Sequence, residues 1–271
     1  MQAHLVQFNI AWEDKPANFR RVEELLDAAP VEPGDLILLP EMFDTGFSLN
    51  TKHTADREGE TLRFLIDLAE DLGAIVQGGR TVHDCHCAKA HNRMSVLGPG
   101  GDLLADYSKI HPFSYGKEHE HFTGGDTVMT YTWAAAAAKS RPAAALTVCP
   151  AICYDLRFPE LFRRGLLVGA ELFALGACWP EVRQSHWRAL LIARAIENQA
   201  FVLAVNRTGS DPTLKYAGGS IAIGPKGDVL GELGAEEHVL TIAVEPSAVH
   251  DWRARFPAWK DQRLLESGPR A

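Results

Sequence analysis

This 271-residue chain is poor in sulfur, with five cysteines and four methionines. Five is an odd number, and the spacing makes no regular disulfide framework, so a stapled secreted fold is not expected. Long apolar runs are missing too. None approaches the ~20 residues a membrane-crossing helix needs. Met1 to Ile10 lacks a basic start and a cleavage site, so it reads as a short strand rather than a signal peptide. There is no run of Lys or Arg. The 27 basic residues face 35 acidic ones, for a net charge of −8. Arg157, Arg163 and Arg164 gather only as a solvated helix face would, and no nucleic-acid partner is expected. Phosphate-binding loops of the Gly-Lys-Ser/Thr or Gly-x-Gly-x-x-Gly kind do not occur. Neither do Gly/Ser-rich linkers or solenoid repeats. These absences point to one domain over residues 1–271, with 256–271 as a polar tail, in a reducing cytoplasm.

What is present is a core-rich chain, 46% hydrophobic, large enough for one α/β core. Leu5–Ile10, Leu36–Pro40 and Ala74–Gly79 read as buried strands. Helices with apolar 3.6-residue spacing lie between them at Asn18–Ala28 and Thr61–Leu72. The pattern recurs further on. Strands at Leu146–Ile152, Glu171–Leu175 and Ala200–Val205 alternate with helices at Pro159–Val168 and Ser185–Glu197. Each half ends in a hairpin, around Gly98–Asp102 and around Pro225–Gly227. Thr127–Trp133 and His238–Val244 read as strands, Ser247–Arg255 as a helix, and Trp133–Ala145 as an Ala-rich surface connection. Two such halves suggest two sheets packed as a four-layer α-β-β-α sandwich. A single doubly wound sheet is the alternative.

The chemistry collects at strand ends. Cys153 stands where the strand ending at Ile152 turns toward a helix beginning near Pro159. Such a corner pushes a side chain out of the sheet, with backbone N–H groups behind it. A thiol there suits a nucleophile, and equally a buried structural cysteine. Glu41 ends the Leu36–Pro40 strand. Lys109 opens a long His-rich polar loop, Ser108–Asp126, which also carries Glu118. A carboxylate can take the thiol proton, and an ammonium can stabilise an oxyanion. Taken singly, each of these charged residues also suits a cap or a solvated surface.

Taken together, Leu39-Pro40-Glu41-Met42-Phe43, Tyr107-Ser108-Lys109-Ile110-His111 and Ile152-Cys153-Tyr154-Asp155-Leu156-Arg157-Phe158-Pro159-Glu160 resemble the nitrilase (carbon–nitrogen hydrolase) superfamily in order and spacing. The likeness covers nearly the whole chain. It extends toward the bacterial ω-amidase group through Glu41-Met42-Phe43-Asp44-Thr45-Gly46-Phe47-Ser48, Cys178-Trp179-Pro180 and Phe256-Pro257-Ala258-Trp259. The resemblance implies the α-β-β-α sandwich, a homodimer or higher homo-oligomer, and neither metal nor organic cofactor. It implies Cys153 as nucleophile, Glu41 as general base and acid, and Lys109 with the Tyr154 backbone N–H as oxyanion stabilisers. Glu118 is implied to position Lys109 and the substrate. The implied substrate is a small ω-amide of the 2-oxoglutaramate or 2-oxosuccinamate type, reacting through a cysteinyl thioester. Nitriles, N-carbamoyl compounds and other amides would suit the same trio. Phe43 and Trp179 follow strand ends and are candidate pocket walls. Arg183 and Lys117 are candidates, by location, for holding a substrate carboxylate.

Three rival readings stand beside this one. His83-Asp84-Cys85-His86-Cys87 with His91 is dense in soft ligands, but Cys85 and Cys87 have no second pair at zinc-site spacing. A papain-like pairing would need His111 or His186 beside Cys153. A non-catalytic binding protein on the same scaffold is the third.

Overall fold

The computed structural model describes residues 1–83, 88–134 and 145–263. The Ala-rich stretch 135–144, the Asp84–Cys87 part of the His/Cys cluster and the last eight residues lie outside them. The first half comprises β1 (Gln2–Gln7), α1 (Lys15–Asp27), β2 (Leu36–Leu38), α2 (Thr51–Thr54), α3 (Glu60–Leu72), β3 (Ile75–Val82), β4 (His91–Leu97) and β5 (Leu103–Ser108). After α4 (Glu118–His121) come β6 (Tyr131–Ala134), β7 (Ala145–Ile152), α5 (Pro159–Leu167), β8 (Leu172–Ala177), α6 (Gln184–Asn198) and β9 (Phe201–Asn206). Short strands β10 (Thr208–Ser210), β11 (Lys215–Ala217), β12 (Ile221–Ile223) and β13 (Val229–Glu232) precede β14 (His238–Ala243) and α7 (Pro246–Arg255).

Two six-stranded sheets result, in the orders β14-β1-β2-β3-β4-β5 and β13-β12-β9-β8-β7-β6. In each, three central strands run parallel and the outer ones antiparallel. Side-chain parity builds the layers, because alternate residues of a strand face opposite ways. Leu36 and Leu38 of β2, Leu146 and Val148 of β7, and Leu172 and Ala174 of β8 meet in the cluster between the sheets. Their alternates face the helices. Ile37 and Leu39 pack with Val22, Leu26, Leu65 and Ala69 of α1 and α3. Cys149, Phe173 and Leu175 pack with Leu161, Phe162, Trp187 and Leu191 of α5 and α6. The four-layer α-β-β-α sandwich is therefore the fold, and the single doubly wound sheet is set aside. Polar groups buried between the sheets are paired: Gln77 donates to the Ala174 carbonyl at 3.1 Å and accepts from the Tyr131 hydroxyl at 2.9 Å. Among the described residues no helix is long and apolar enough to cross a membrane.

The strand expected at Thr127–Trp133 begins only at Tyr131, where antiparallel pairing with β7 starts. The loop 108–126 is not featureless. It holds a 3₁₀ turn at Ser114–Gly116 and the α4 turn, tied down where Gly125 N–H donates to the Lys109 carbonyl at 2.8 Å. β14 crosses back to pair with β1 along its whole length.

Two glycines allow the Glu41 segment to pass between the sheets. A Cβ on Gly79 of β3 would lie 2.6 Å from the Met42 nitrogen and 2.8 Å from the Glu41 Cα. One on Gly176 of β8 would lie 2.8 Å from the Leu39 carbonyl oxygen. Backbone cannot yield as a side-chain tip can. Gly79→Ala is therefore expected to destabilise by about 1–3 kcal/mol through overpacking, read as a lowered urea midpoint. An unchanged midpoint would refute the close approach.

Candidate active site

The carboxyl ends of β2, β5, β7 and β8 lie along one edge of the sandwich. Cys153 is the first residue after β7, at the start of a 3₁₀ turn over Cys153–Arg157. Its φ is +44°, a left-handed conformation unusual for a residue with a Cβ and costing on the order of 1 kcal/mol. Asp155 holds the turn. Its carboxylate accepts from the Ile152 N–H at 3.1 Å, the Tyr107 hydroxyl at 2.7 Å, and the His111 backbone N–H at 3.1 Å. It also pairs with His111 Nδ1 at 2.8 Å, and that imidazole stacks on Phe158 with centroids 3.7 Å apart. Arg194 of α6 donates to the Leu156 carbonyl through two nitrogens, at 2.8 and 3.2 Å. His111 thus serves the corner through Asp155, and His186 contacts Arg157 at 3.4 Å. Neither is engaged with the thiol, so the papain-like pairing is not formed.

Glu41, Lys109 and Glu118 are brought together. Lys109 Nζ lies 2.8 Å from Glu41 Oε1 and 2.8 Å from Glu118 Oε2. Asn92 spans the same two carboxylates, with Nδ2 2.8 Å from Glu41 Oε1 and 2.9 Å from Glu118 Oε1. The second Glu41 oxygen accepts the Cys178 N–H at 2.9 Å. Glu118 Oε2 also accepts the Phe113 N–H at 2.5 Å. All three charged side chains are almost wholly buried. A buried charge is tolerated only with such partners. Burial disfavours the Lys109 ammonium, but Glu118 and Glu41 outweigh it and hold its pKa well above the ordinary lysine value. Lys109 is thus a fixed cation.

Cys153 borders this cluster. Burial, then the Glu41 carboxylate, pushes its thiol well above the ordinary range, while Lys109 pulls it down by less. The thiol opens into a cavity of about 430 Å³ also lined by Lys109, Tyr154, Trp179, Arg157 and Arg183. Trp179 is a wall of it, as the sequence suggested. Its indole N–H donates to the Arg183 carbonyl at 2.8 Å, and Asn206 accepts its backbone N–H at 2.8 Å.

Phe43 is not a wall. After the positive-φ turn at Met42 (+44°) its N–H pairs with the Gly79 carbonyl. Its ring falls into the helix layer beside Phe19 and Phe64, with centroids 6.1 and 5.9 Å away. Lys117 is exposed and does not line the cavity. Among the described residues no group of three or more His, Cys, Asp or Glu side chains is arranged to hold a metal ion.

Sequence reading missed Asn92, Asp155, Asn206 and Arg194, which hold the charged residues, the corner and Trp179. It also missed Cys178, whose thiol donates to the Glu41 carbonyl at 3.2 Å. Only Asn206 and Arg194 carry a local signal, a polar residue in an otherwise apolar strand or helix face; Asn92 sits between polar His91 and Arg93, and Asp155 and Cys178 stand in the family-like motifs without an assigned role. Chemically, the arrangement offers a sulfur nucleophile, a carboxylate beside it and a fixed cation, all opening into one cavity.

Similarity to known proteins bears on what the site does. The model of a family described as Carbon-nitrogen hydrolase matches residues 2–254. The chain is 32% identical over 259 residues to Omega-amidase YafV of Escherichia coli (strain K12), covering 95% of this chain and 94% of that protein. It is 32% identical over 261 residues to the 2-oxoglutaramate amidase of Bacillus subtilis (strain 168), covering 95% and 96%. Among solved structures it superposes on XC1258 from Xanthomonas campestris with a TM-score of 0.88, 34% identity and 99% of both chains covered. XC1258 is a CN-hydrolase superfamily protein with an arsenic adduct in its active site.

The raised thiol yields a pH prediction. The Cys153 side chain stays protonated through neutral pH, so thiolate absorbance assignable to it, as the difference between wild type and Cys153→Ala, should appear only above the ordinary thiol range. Removing the Lys109 charge should move that rise to still higher pH. A thiolate signal already saturated at neutral pH would contradict this reading.

Proposed function

The chain belongs to the carbon-nitrogen hydrolase family and is a cysteine-dependent C–N hydrolase, and we propose that it is an ω-amidase. In this reading it releases ammonia from the terminal amide of a small carboxylated substrate of the 2-oxoglutaramate or 2-oxosuccinamate type. The observation that carries the chemistry is the Lys109 ammonium held between Glu41 and Glu118 at the edge of a cavity that also exposes Cys153. The names of the relatives support the substrate class.

The steps follow from what each group can do. A thiol this strongly protonated attacks only if a base takes its proton as the C–S bond forms, and Glu41 is the adjacent base. The amide carbonyl oxygen becomes an anion. Lys109 Nζ and the Tyr154 backbone N–H stabilise it, the latter near the start of a 3₁₀ turn where N–H groups lack intrahelical acceptors. Glu41 then returns the proton to nitrogen, the C–N bond breaks, and ammonia leaves a thioester on Cys153. Water attacks next, giving its proton to Glu41. The C–S bond breaks, the Glu41 proton returns to sulfur, and the product leaves as the acid, which gives its own proton to solvent or the released ammonia and becomes the carboxylate. Glu118 takes no proton in this scheme; with Glu41 it holds Lys109 in place.

Ammonia release from a panel of ω-amides, nitriles and N-carbamoyl compounds tests this reading. ω-Amides of 2-oxo acids should be the best substrates, and Cys153→Ala should abolish release. Lys109→Ala should lower turnover by ~10²-fold or more, as loss of one oxyanion donor does. Equal release from wild type and Cys153→Ala, or preference for nitriles, would overturn it.

A further inference from the structure

The cavity carries two arginines that the proposed chemistry leaves unused, Arg157 and Arg183. The other charged groups that line the cavity already have hydrogen-bond partners. Lys109 is shared by two carboxylates. Asp211 accepts from the Thr213 N–H and hydroxyl, the Leu214 N–H and the Tyr216 hydroxyl. Glu13 accepts from the Ser48 hydroxyl and the Asn50 amide. Among the described residues neither Arg157 nor Arg183 is paired with a carboxylate, although exposed Glu181 lies on the same turn as Arg183.

Each arginine sits over an aromatic ring. The Arg183 guanidinium lies over the Phe113 ring at 5.4 Å, and the Arg157 guanidinium over the Trp179 ring at 4.8 Å. A cation over a ring is held without a hydrogen bond, so N–H donors remain available for the planar, bidentate pairing that a carboxylate makes. The Arg183 guanidinium donates no hydrogen bond among the described residues, whereas Arg157 spends one nitrogen on His186 at 3.4 Å. Arg183 is thus the better-placed ligand and Arg157 its helper.

We infer that Arg183, assisted by Arg157, binds the substrate's carboxylate and orients the amide at the other end of the molecule toward Cys153. This deepens the amidase reading above and rests on it. The polarity of the cavity supplies the direction. Two carboxylates and one ammonium leave the reacting end net negative, so a substrate carboxylate is repelled there and drawn to the arginines. The amide is then the group presented to the thiol. The same field expels the new carboxylate once hydrolysis has made it beside Glu41.

The test is a substrate comparison. Wild type, Arg183→Gln, Arg157→Gln and Arg183→Lys are assayed for ammonia release from a 2-oxo acid ω-amide and from a neutral aliphatic amide of the same length. The ratio of kcat/KM values, carboxylated over neutral, should fall about 10–100-fold in Arg183→Gln, as expected for a lost hydrogen bond to a charged group. The loss should lie mainly in KM, be smaller in Arg157→Gln, and be partly restored in Arg183→Lys. On unaltered enzyme, a short 2-oxo monocarboxylate should compete with substrate at least about 10-fold better than the methyl ketone lacking its charge. That arm holds even where a variant does not fold. An unchanged ratio together with equal competition would overturn the anchor while leaving the amidase reading standing. No ammonia from any carboxylated amide with wild type would overturn the amidase reading, and the anchor with it.

Discussion

One ammonium shared by two buried carboxylates sets the terms for the rest of the site. Lys109 reaches Glu41 and Glu118 at 2.8 Å each, and none of the three is more than marginally exposed. Removing charges from water costs several kcal/mol per ion, so such a cluster persists only when every charge is answered. Asn92 and the Cys178 and Phe113 backbone N–H groups supply the remaining hydrogen bonds to the carboxylates. The result is a rigid scaffold of opposite charges. It places a carboxylate against the thiol and a cation beside the cavity, each held by several partners.

The fold exists in the form it does partly to allow this. Glu41 follows β2, Lys109 follows β5, and Cys153 follows β7 of the other sheet. Only face-to-face packing of the two sheets brings the three ends to one edge. The Glu41 backbone must then thread between sheets, which is why β3 and β8 present Gly79 and Gly176 to it. The strained backbone at Cys153 is maintained by Asp155 and Arg194, which tie the corner to the β5 edge and to α6. Strain there directs the sulfur out of the sheet rather than along it.

Much of this was legible from the chain alone, for a physical reason. Strands buried on both faces read as continuous apolar runs, and helices between them read by 3.6-residue spacing, so the layers could be inferred. Glu41, Lys109 and Cys153 were weak signals singly; the order and spacing of the three family-like motifs that carry them is what picked them out. Phe43 misled because a turn at Met42, invisible in local pattern, sends its ring to the helix layer. Asn92 and Asp155 were missed as holding groups because their side-chain partners lie 26 to 51 and 44 to 48 residues away in sequence, beyond the reach of any local spacing. The β10–β11 hairpin was missed because three-residue strands carry almost no periodicity. Arg183 was visible only as a position. Its guanidinium, over the Phe113 ring and without a carboxylate partner among the described residues, is a fact of tertiary structure.

The central claim is that Cys153 carries the acyl group of the substrate and that Glu41 moves the protons which put it there and remove it. Acid-quenched mass spectrometry of enzyme mixed with a 2-oxo acid ω-amide measures this directly. A mass increase equal to the substrate minus ammonia is expected on the peptide containing Cys153. The increase should be absent in Cys153→Ala and should form far more slowly in Glu41→Gln. An adduct on another residue, or full turnover with Cys153 replaced, would contradict it.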